Sequence, residues 1–251
     1  KSNTFYKNYD ADKHTAFFNN DIIWSPGNKV TKNGFVNTLQ GILKNKNYKA
    51  KNTGGEYKTD GTVSELNSVL SYKSSLPMEK KGIYSSKLFS PTFMIKYAPG
   101  HMRNLSKDDV GLSYMNLYSV NKTSEIENGL SAILGFDFKT TKKDKKGDDI
   151  DKLSVSMGQV FNKEENDDLP SKSSLDQKTS DLVGAINYNF SDIGKIQYKF
   201  ALDHNFNDLN YNEISTNLNF GKIGFNVDYL EEQNHVGNEN FITTGVSFNF
   251  N

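Results

Sequence analysis

The 251-residue chain has no cysteine, so neither disulfide staples nor thiolate metal sites can hold it together. Arginine is almost missing too: Arg103 stands alone among 30 basic residues. A surface that reads phosphates or base edges normally uses several planar guanidinium forks, so we expect no nucleic-acid partner. The 30 basic and 30 acidic side chains cancel, which removes any net pull toward polyanions. No apolar run approaches the roughly 20 residues of a membrane-crossing helix. Apolar residues are scarce overall, at 35%, where soluble domains hold roughly 45–50% with glycine included. The first residue is Lys1 rather than Met and no signal peptide follows, so we expect an internal fragment or a processed product.

What the chain does contain is aromatic and β-branched residues in a regular order, which a disordered chain of similar polarity would lack. The order has period two. Leu182, Gly184, Ile186, Tyr188 and Phe190 alternate with Val183, Ala185, Asn187 and Asn189. Ile196, Tyr198, Phe200 and Leu202 alternate with Gln197, Lys199, Ala201 and Asp203; Ile214, Thr216, Leu218 and Phe220 alternate with Glu213, Ser215, Asn217 and Asn219. Ile223, Phe225, Val227 and Tyr229 face away from Gly224, Asn226 and Asp228, and Ile242, Thr244, Val246, Phe248 and Phe250 close the series. Helices would repeat at three and four; these segments are strands with one apolar face. Upstream, the stripes Leu130–Phe138, Leu153–Phe161 and Phe93–Tyr97 read the same way, and a strand through Leu112, Tyr114 and Asn116 is expected after the Pro99-Gly100 break. Further strands are expected around Ala16–Trp24, Gly34–Tyr48 and Val63–Leu76, about a dozen in all at roughly 9–12 residues, the length of tilted membrane strands. The connections Ser191–Gly194 and Gly221-Lys222 are short, while Thr140–Lys152, Lys163–Lys178 and Tyr48–Thr62 are expected to be long, polar loops.

A period-two strand fits a half-solvated soluble sheet as well as a membrane barrel. Three features favour the membrane. The apolar stripes carry no charge, as lipid-facing positions require, because a midplane Lys or Arg costs about 2–4 kcal/mol. Aromatics (Tyr188, Phe190, Tyr229, Phe250) sit at stripe ends, where interface girdles form. No amphipathic helix is available to cover a dozen one-sided strands in water. The expected fold is therefore all-β: an antiparallel transmembrane β-barrel, here a partial barrel or curved open sheet, with residues 1–251 forming part of one domain in the outer membrane. A soluble sandwich, β-helix or adhesin-like repeat is the alternative, and it requires the apolar stripes to pack against one another.

Catalytic or metal-binding patterns are not evident. His14, His101, His204 and His235 share no ligand spacing, and neither G-x-S-x-G nor H-E-x-x-H occurs. Lys142, Lys143, Lys145 and Lys146, followed by Asp148, Asp149 and Asp151, match no calcium loop and read as a solvated tip, as does Glu164–Asp168. No enzyme, cofactor or metal is expected. The functional surface on offer is a polar lumen wall made of Asn187, Asn189, Gln197, Lys199, Asp203, Glu213, Asn217, Asn219, Asn226 and Asp228.

Particular residues go further. Asn116-Leu117-Tyr118-Ser119-Val120-Asn121-Lys122 followed by Glu125-Ile126-Glu127-Asn128-Gly129 resembles the pattern N-L-F-x-x-N-R then D-R-x-E-x-G of the LptD family of LPS-assembly proteins. Ser156-Met157-Gly158-Gln159-Val160-Phe161 is similar to that family's S-x-G-Q-x-[YF], and Ser180-Asp181-Leu182-Val183-Gly184 to its S-D-x-V-G. Tyr211-Asn212-Glu213 and Tyr229–Gln233 are similar to LptD of marine alphaproteobacteria, and Thr243–Phe250 resembles the aromatic signal by which barrels are recognised for assembly. Lys122 stands where the family pattern has arginine, and the spacing from Asn121 to Glu127 is shorter. The family's periplasmic jelly roll and disulfide cysteines are missing, and its barrel of about 26 strands is about twice what this chain supplies. The resemblance implies a translocon component that inserts lipopolysaccharide into the outer leaflet, with a plug lipoprotein (LptE-like), a periplasmic Lpt bridge and outer-membrane lipid as partners. The matched positions are Asn116, Asn121, Glu127, Gly129, Gly158 and Gln159, and their expected role is structural. A passive porin-like channel is the alternative, and an outer-membrane hydrolase a more distant one.

Overall fold

The computed structural model describes residues 2–9, 13–51, 61–100, 102–106, 111–123, 125–143, 147–190, 193–233, 235 and 237–248. They form one antiparallel sheet. Its strands are β1 (Ser2–Tyr9), β2 (Lys13–Trp24), β3 (Asn28–Val30), β4 (Val36–Lys51), β5 (Gly61–Ser75), β6 (Met78–Lys81), β7 (Ser85–Ala98), β8 (Gly129–Lys143), β9 (Asp149–Asn162), β10 (Leu182–Asn189), β11 (Gly194–Leu202), β12 (Leu209–Phe220), β13 (Ile223–Glu232) and β14 (Asn240–Phe248). Apart from β3, which pairs β4, and β6, which pairs β7, each strand lies beside its neighbour in sequence, and the path runs from β1 to β14 without a crossover. The sheet is open, with β1 and β14 at its two edges.

Register fixes the two faces, because residues paired across antiparallel strands project to the same side. Leu134, Phe136 and Phe138 pair with Gln159, Met157 and Val155. Ile186 and Tyr188 pair with Val155 and Leu153 on one side and with Tyr198 and Ile196 on the other. Ile214, Thr216 and Leu218 continue the row to Tyr229, Val227 and Phe225, and Ile242, Thr244 and Val246 finish it. These side chains are half-buried or exposed, and none of them is buried. Phe93 is 38% exposed, Tyr97 54%, Leu134 50%, Phe225 41% and Val246 59%. So much apolar surface in one contiguous face, with no second layer over it, needs hydrocarbon rather than water. The rival arrangement, apolar flanks packed together in a dry core, is not what the sheet adopts.

The two rims differ. One carries the short connections from β10 to β11 and from β12 to β13, and also that from β8 to β9, because those two strands extend well past where alternation alone ends them. The expected long loop Thr140–Lys152 is therefore strand over 140–143 and 149–152, paired out to Lys143 and Asp149, with a register shift between Thr140 and Thr141. The other rim carries segments 99–128 and 163–181. The strand expected through Leu112, Tyr114 and Asn116 does not form; residues 114–118 are turn. Asn116 enforces that turn: its Oδ1 accepts from the Ser113 N–H at 2.8 Å, and its Nδ2 donates to the Gly111 carbonyl at 3.0 Å. His101, Lys145, Lys146 and Phe250 lie outside the described residues.

Candidate functional site

Both long segments fold back over the inward face of the sheet and bury it. Leu105, Leu112, Leu117, Val120 and Ile126 from the first, and Leu169 and Leu175 from the second, pack on Val69, Met94, Ile133, Val160, Val183 and Ala201 of the wall. Leu105 and Ile133 are fully buried. Each such side chain contributes about 1.5–3 kcal/mol relative to exposure, so the segments form a fixed plug on the wall rather than loose loops. The strands make room for it. Gly135 and Gly158 pair across β8 and β9 on the inward face. A Cβ on Gly158 would stand 2.6 Å from Leu117 Cδ2, and one on Gly135 would overlap the Tyr118 hydroxyl. Two residues without side chains thus open the dent that receives Leu117 and Tyr118.

Charged groups fasten the same segment. Glu127, 4% exposed, accepts from the Lys122 N–H at 2.5 Å and the Thr123 N–H at 2.9 Å through Oε1, while its Oε2 pairs with the Lys96 ammonium of β7. Burial alone would raise the Glu127 pKa, but the Lys96 and Lys122 ammoniums and these hydrogen bonds hold it below the ordinary carboxylate range. Glu125 reaches further, to the Lys46 ammonium and to Lys44 Nζ at 3.9 Å on β4. Lys122 is itself buried, and its ammonium donates to the Ser119 carbonyl at 3.2 Å. Its pKa is pushed down to about 8, first by burial and then by Lys96, with Glu127 opposing. Gly129 ends the segment at φ +100°, a left-handed conformation that glycine adopts without strain.

The second segment is latched by its own short motif. Ser180 Oγ accepts from the Val160 N–H at 2.9 Å, Gln159 Nε2 donates to the Ser180 carbonyl at 2.7 Å, and Asp181 Oδ2 accepts from Asn210 Nδ2 at 2.9 Å. Burial raises the Asp181 pKa; the Asn210 bond opposes this and Asp203 adds to it. Gln159 lies opposite Leu134, on the outward row rather than the inner wall. The Glu164–Asp168 stretch is only partly a solvated tip: Asp168 joins the two segments, accepting from the Leu105 N–H at 2.6 Å and from Asn104 Nδ2 at 3.0 Å.

Beyond β10 the inward face is polar except for Leu230 and Phe241, which pair near the long-segment rim, and the plug reaches it only at that rim, where Val183, Ala201 and Tyr211 join the buried cluster. Asn187 bonds Ser154 at 3.1 Å and Gln197 at 2.6 Å, and Lys199 pairs with Glu213 at 2.8 Å. Asn189 shares the row of Lys195, Asn217 pairs with Asn226, Asn219 with Gly224, and Asp228 with Ser215, all on this side. Nine of the ten residues expected on the lumen wall are thus brought to one face. Asp203 is not: β11 ends at Leu202, and Asp203 sits in the turn, 3.0 Å from His204. Among the described residues no group of three or more His, Asp or Glu could hold a metal ion.

Of the six motif positions, Asn116, Glu127, Gly129 and Gly158 all shape or seat the first segment, Gln159 secures the second, and Asn121 lies in the first with a buried Oδ1 that meets no hydrogen-bond donor among the described residues. A model of the LptD family, described as LPS transport system D, matches residues 16–251. The chain belongs to the LptD family. No curated protein matches it. LptD-family proteins are outer-membrane components of LPS transport and not enzymes, and the all-β sheet with its bare apolar face is what such a protein places in the bilayer. The plug segments that the motif residues shape and seat are the feature that sequence reasoning missed. One signal was there: Met94, Ile133, Val160 and Val183 put apolar side chains on the face expected to be polar, always at the strand ends nearest the long segments.

Proposed function

We propose that this chain is a stretch of barrel wall in a translocon that inserts lipopolysaccharide into the outer leaflet, with residues 1–251 forming part of a single barrel domain. The observation that carries this reading is the division of the inward face. The plug fills the rim-side half between β5 and β10, and the wall from β10 to β14 stays open and, apart from Leu230 and Phe241 near the long-segment rim, hydrophilic. Sugar and phosphate of a glycolipid keep their hydrogen bonds along such a wall, while acyl chains stay with the lipid-facing side. In the outer-membrane plan, long connections face outward and short turns face the periplasm, so the plug sits at the outer end of the path. A seated plug argues against the passive porin. An LptE-like lipoprotein would fill the remaining lumen and a periplasmic Lpt bridge would deliver the cargo from the short-turn side.

Photocrosslinking in cells tests this. With a benzophenone amino acid at Gln197, Asn217 or Asn226 of the whole protein, adducts with lipopolysaccharide are expected, and none from Ile133 beneath the plug. If the wall positions give no adduct while the protein is assembled in the outer membrane, the path is wrong.

A further inference from the structure

A cavity of about 310 Å³ lies between β7, β8, β9 and the two plug segments. Its charged lining comprises Lys96, Lys122, Lys163, Glu127, Glu164 and Glu165. Lys96 is matched by Glu127, and Lys163 lies 3.5 Å from Glu164 at the exposed mouth, where Glu165 is also solvated. Lys122 differs from all of them. It is 7% exposed, and among the described residues its ammonium has a single acceptor, the Ser119 carbonyl at 3.2 Å. Both oxygens of the nearest carboxylate, Glu127, are occupied by Lys96 and by the backbone N–H groups of Lys122 and Thr123. A buried ammonium with unused donors on a cavity wall either gives up its proton or takes an anion.

We propose that this cavity is an anion site, in which the Lys122 ammonium receives one phosphate or sulfate-like group, borne by a saccharide or free in solution. The site goes beyond the transport reading and depends on it only for the origin of a saccharide-borne anion. Lys163 and the exposed carboxylates at the mouth select among approaching ligands only weakly, since water and salt screen them. Lys122, the buried charge without a carboxylate of its own, dominates.

The test is sulfate binding by the whole chain folded in detergent micelles, followed by calorimetry at pH 6.5. Sulfate keeps its charge across the pH range used, so any pH effect belongs to the protein. Saturable binding is expected in the wild type, weakened about tenfold or more by Lys122→Gln and changed less than about twofold by Lys163→Gln. Equal affinity in Lys122→Gln, or no saturable binding in the wild type, overturns the proposal. Should Lys122→Gln fail to fold, the wild type alone decides the matter. Affinity should decline above about pH 8, where Lys122 loses its proton, whereas a profile flat to about pH 10 means surface lysines are responsible. Displacement of sulfate by lipopolysaccharide assigns a saccharide-borne anion, and displacement by inorganic phosphate alone assigns a free one. Failure here leaves crosslinking at Asn226 untouched, so the two readings fall separately.

Discussion

Replacing Glu127 with alanine should release the first plug segment while the sheet stays intact. The carboxylate neutralises Lys96, which is 3% exposed, and accepts from the Lys122 and Thr123 N–H groups. Removing one member of a buried ion pair costs about 3–5 kcal/mol, because its partner keeps a desolvated charge. With tenfold per 1.4 kcal/mol, the open population of segment 99–128 should rise by about two to three and a half orders of magnitude. The sequence supplies its own reporter: Arg103, the single arginine, lies inside this segment. An arginine-specific protease therefore cuts the chain once, at a rate that follows the open population when reclosing outpaces cleavage. Glu127→Gln, which keeps an acceptor but loses the charge, should fall between alanine and wild type. Glu164→Ala, at the exposed mouth, should leave the rate alone. If Glu127→Ala changes the cleavage rate less than about threefold, the carboxylate is not the fastener and the reasoning fails.

Gly158→Leu should also open the plug, since its Cβ would stand 2.6 Å from Leu117 Cδ2 and from the Leu134 carbonyl; circular dichroism should stay strand-like while Arg103 cleavage accelerates. The pH dependence follows from Lys122, whose folded pKa of about 8 lies below its ordinary 10.5. The open segment then binds more protons between those values, so cleavage should slow as pH rises from about 8 to 10.5, and Lys122→Met should flatten that slope. Glu127 acts at the other end of the scale: its folded pKa lies below the ordinary carboxylate value, so its contribution is lost only as pH falls through that lowered value. Leu134→Lys on the outward face should cost about 2–4 kcal/mol in denaturant titrations in lipid vesicles, whereas Asn217→Lys on the inward face should cost well under 1 kcal/mol.

From Leu182 onward, where each strand meets lipid on one side and water on the other, alternation alone places the side chains, and the strands and turns fall where period two puts them. The plug follows no such rule. Leu105, Leu112, Leu117, Val120 and Ile126 have no shared period because they pack as an irregular chain against strands far away in sequence. Local alternation of Leu112, Tyr114 and Asn116 imitates a strand, and only the side-chain turn bonds of Asn116 show otherwise. Asp203 falls outside the strand for a similar reason: alternation carries on by one residue past Leu202, while β11 ends at Leu202, directly after the register shift between Ala201 and Leu202. Gly135 and Gly158 look like weak strand residues until Leu117 and Tyr118 are seen seated against them. The resemblance to the LptD family reached these positions without their mechanics, since a motif records which residue stands where and not what it holds down.

The account depends on β12 presenting Ile214, Thr216 and Leu218 to hydrocarbon and Ser215, Asn217 and Asn219 to water. The absence of native cysteine makes the direct measurement simple: single cysteines at 213–220 are spin-labelled in lipid vesicles, and collisions with oxygen and with a water-soluble nickel chelate are compared. Oxygen collisions should peak at 214, 216 and 218 and nickel collisions at 215, 217 and 219. Equal accessibility along the strand, or the reversed order, would contradict the membrane placement of the sheet.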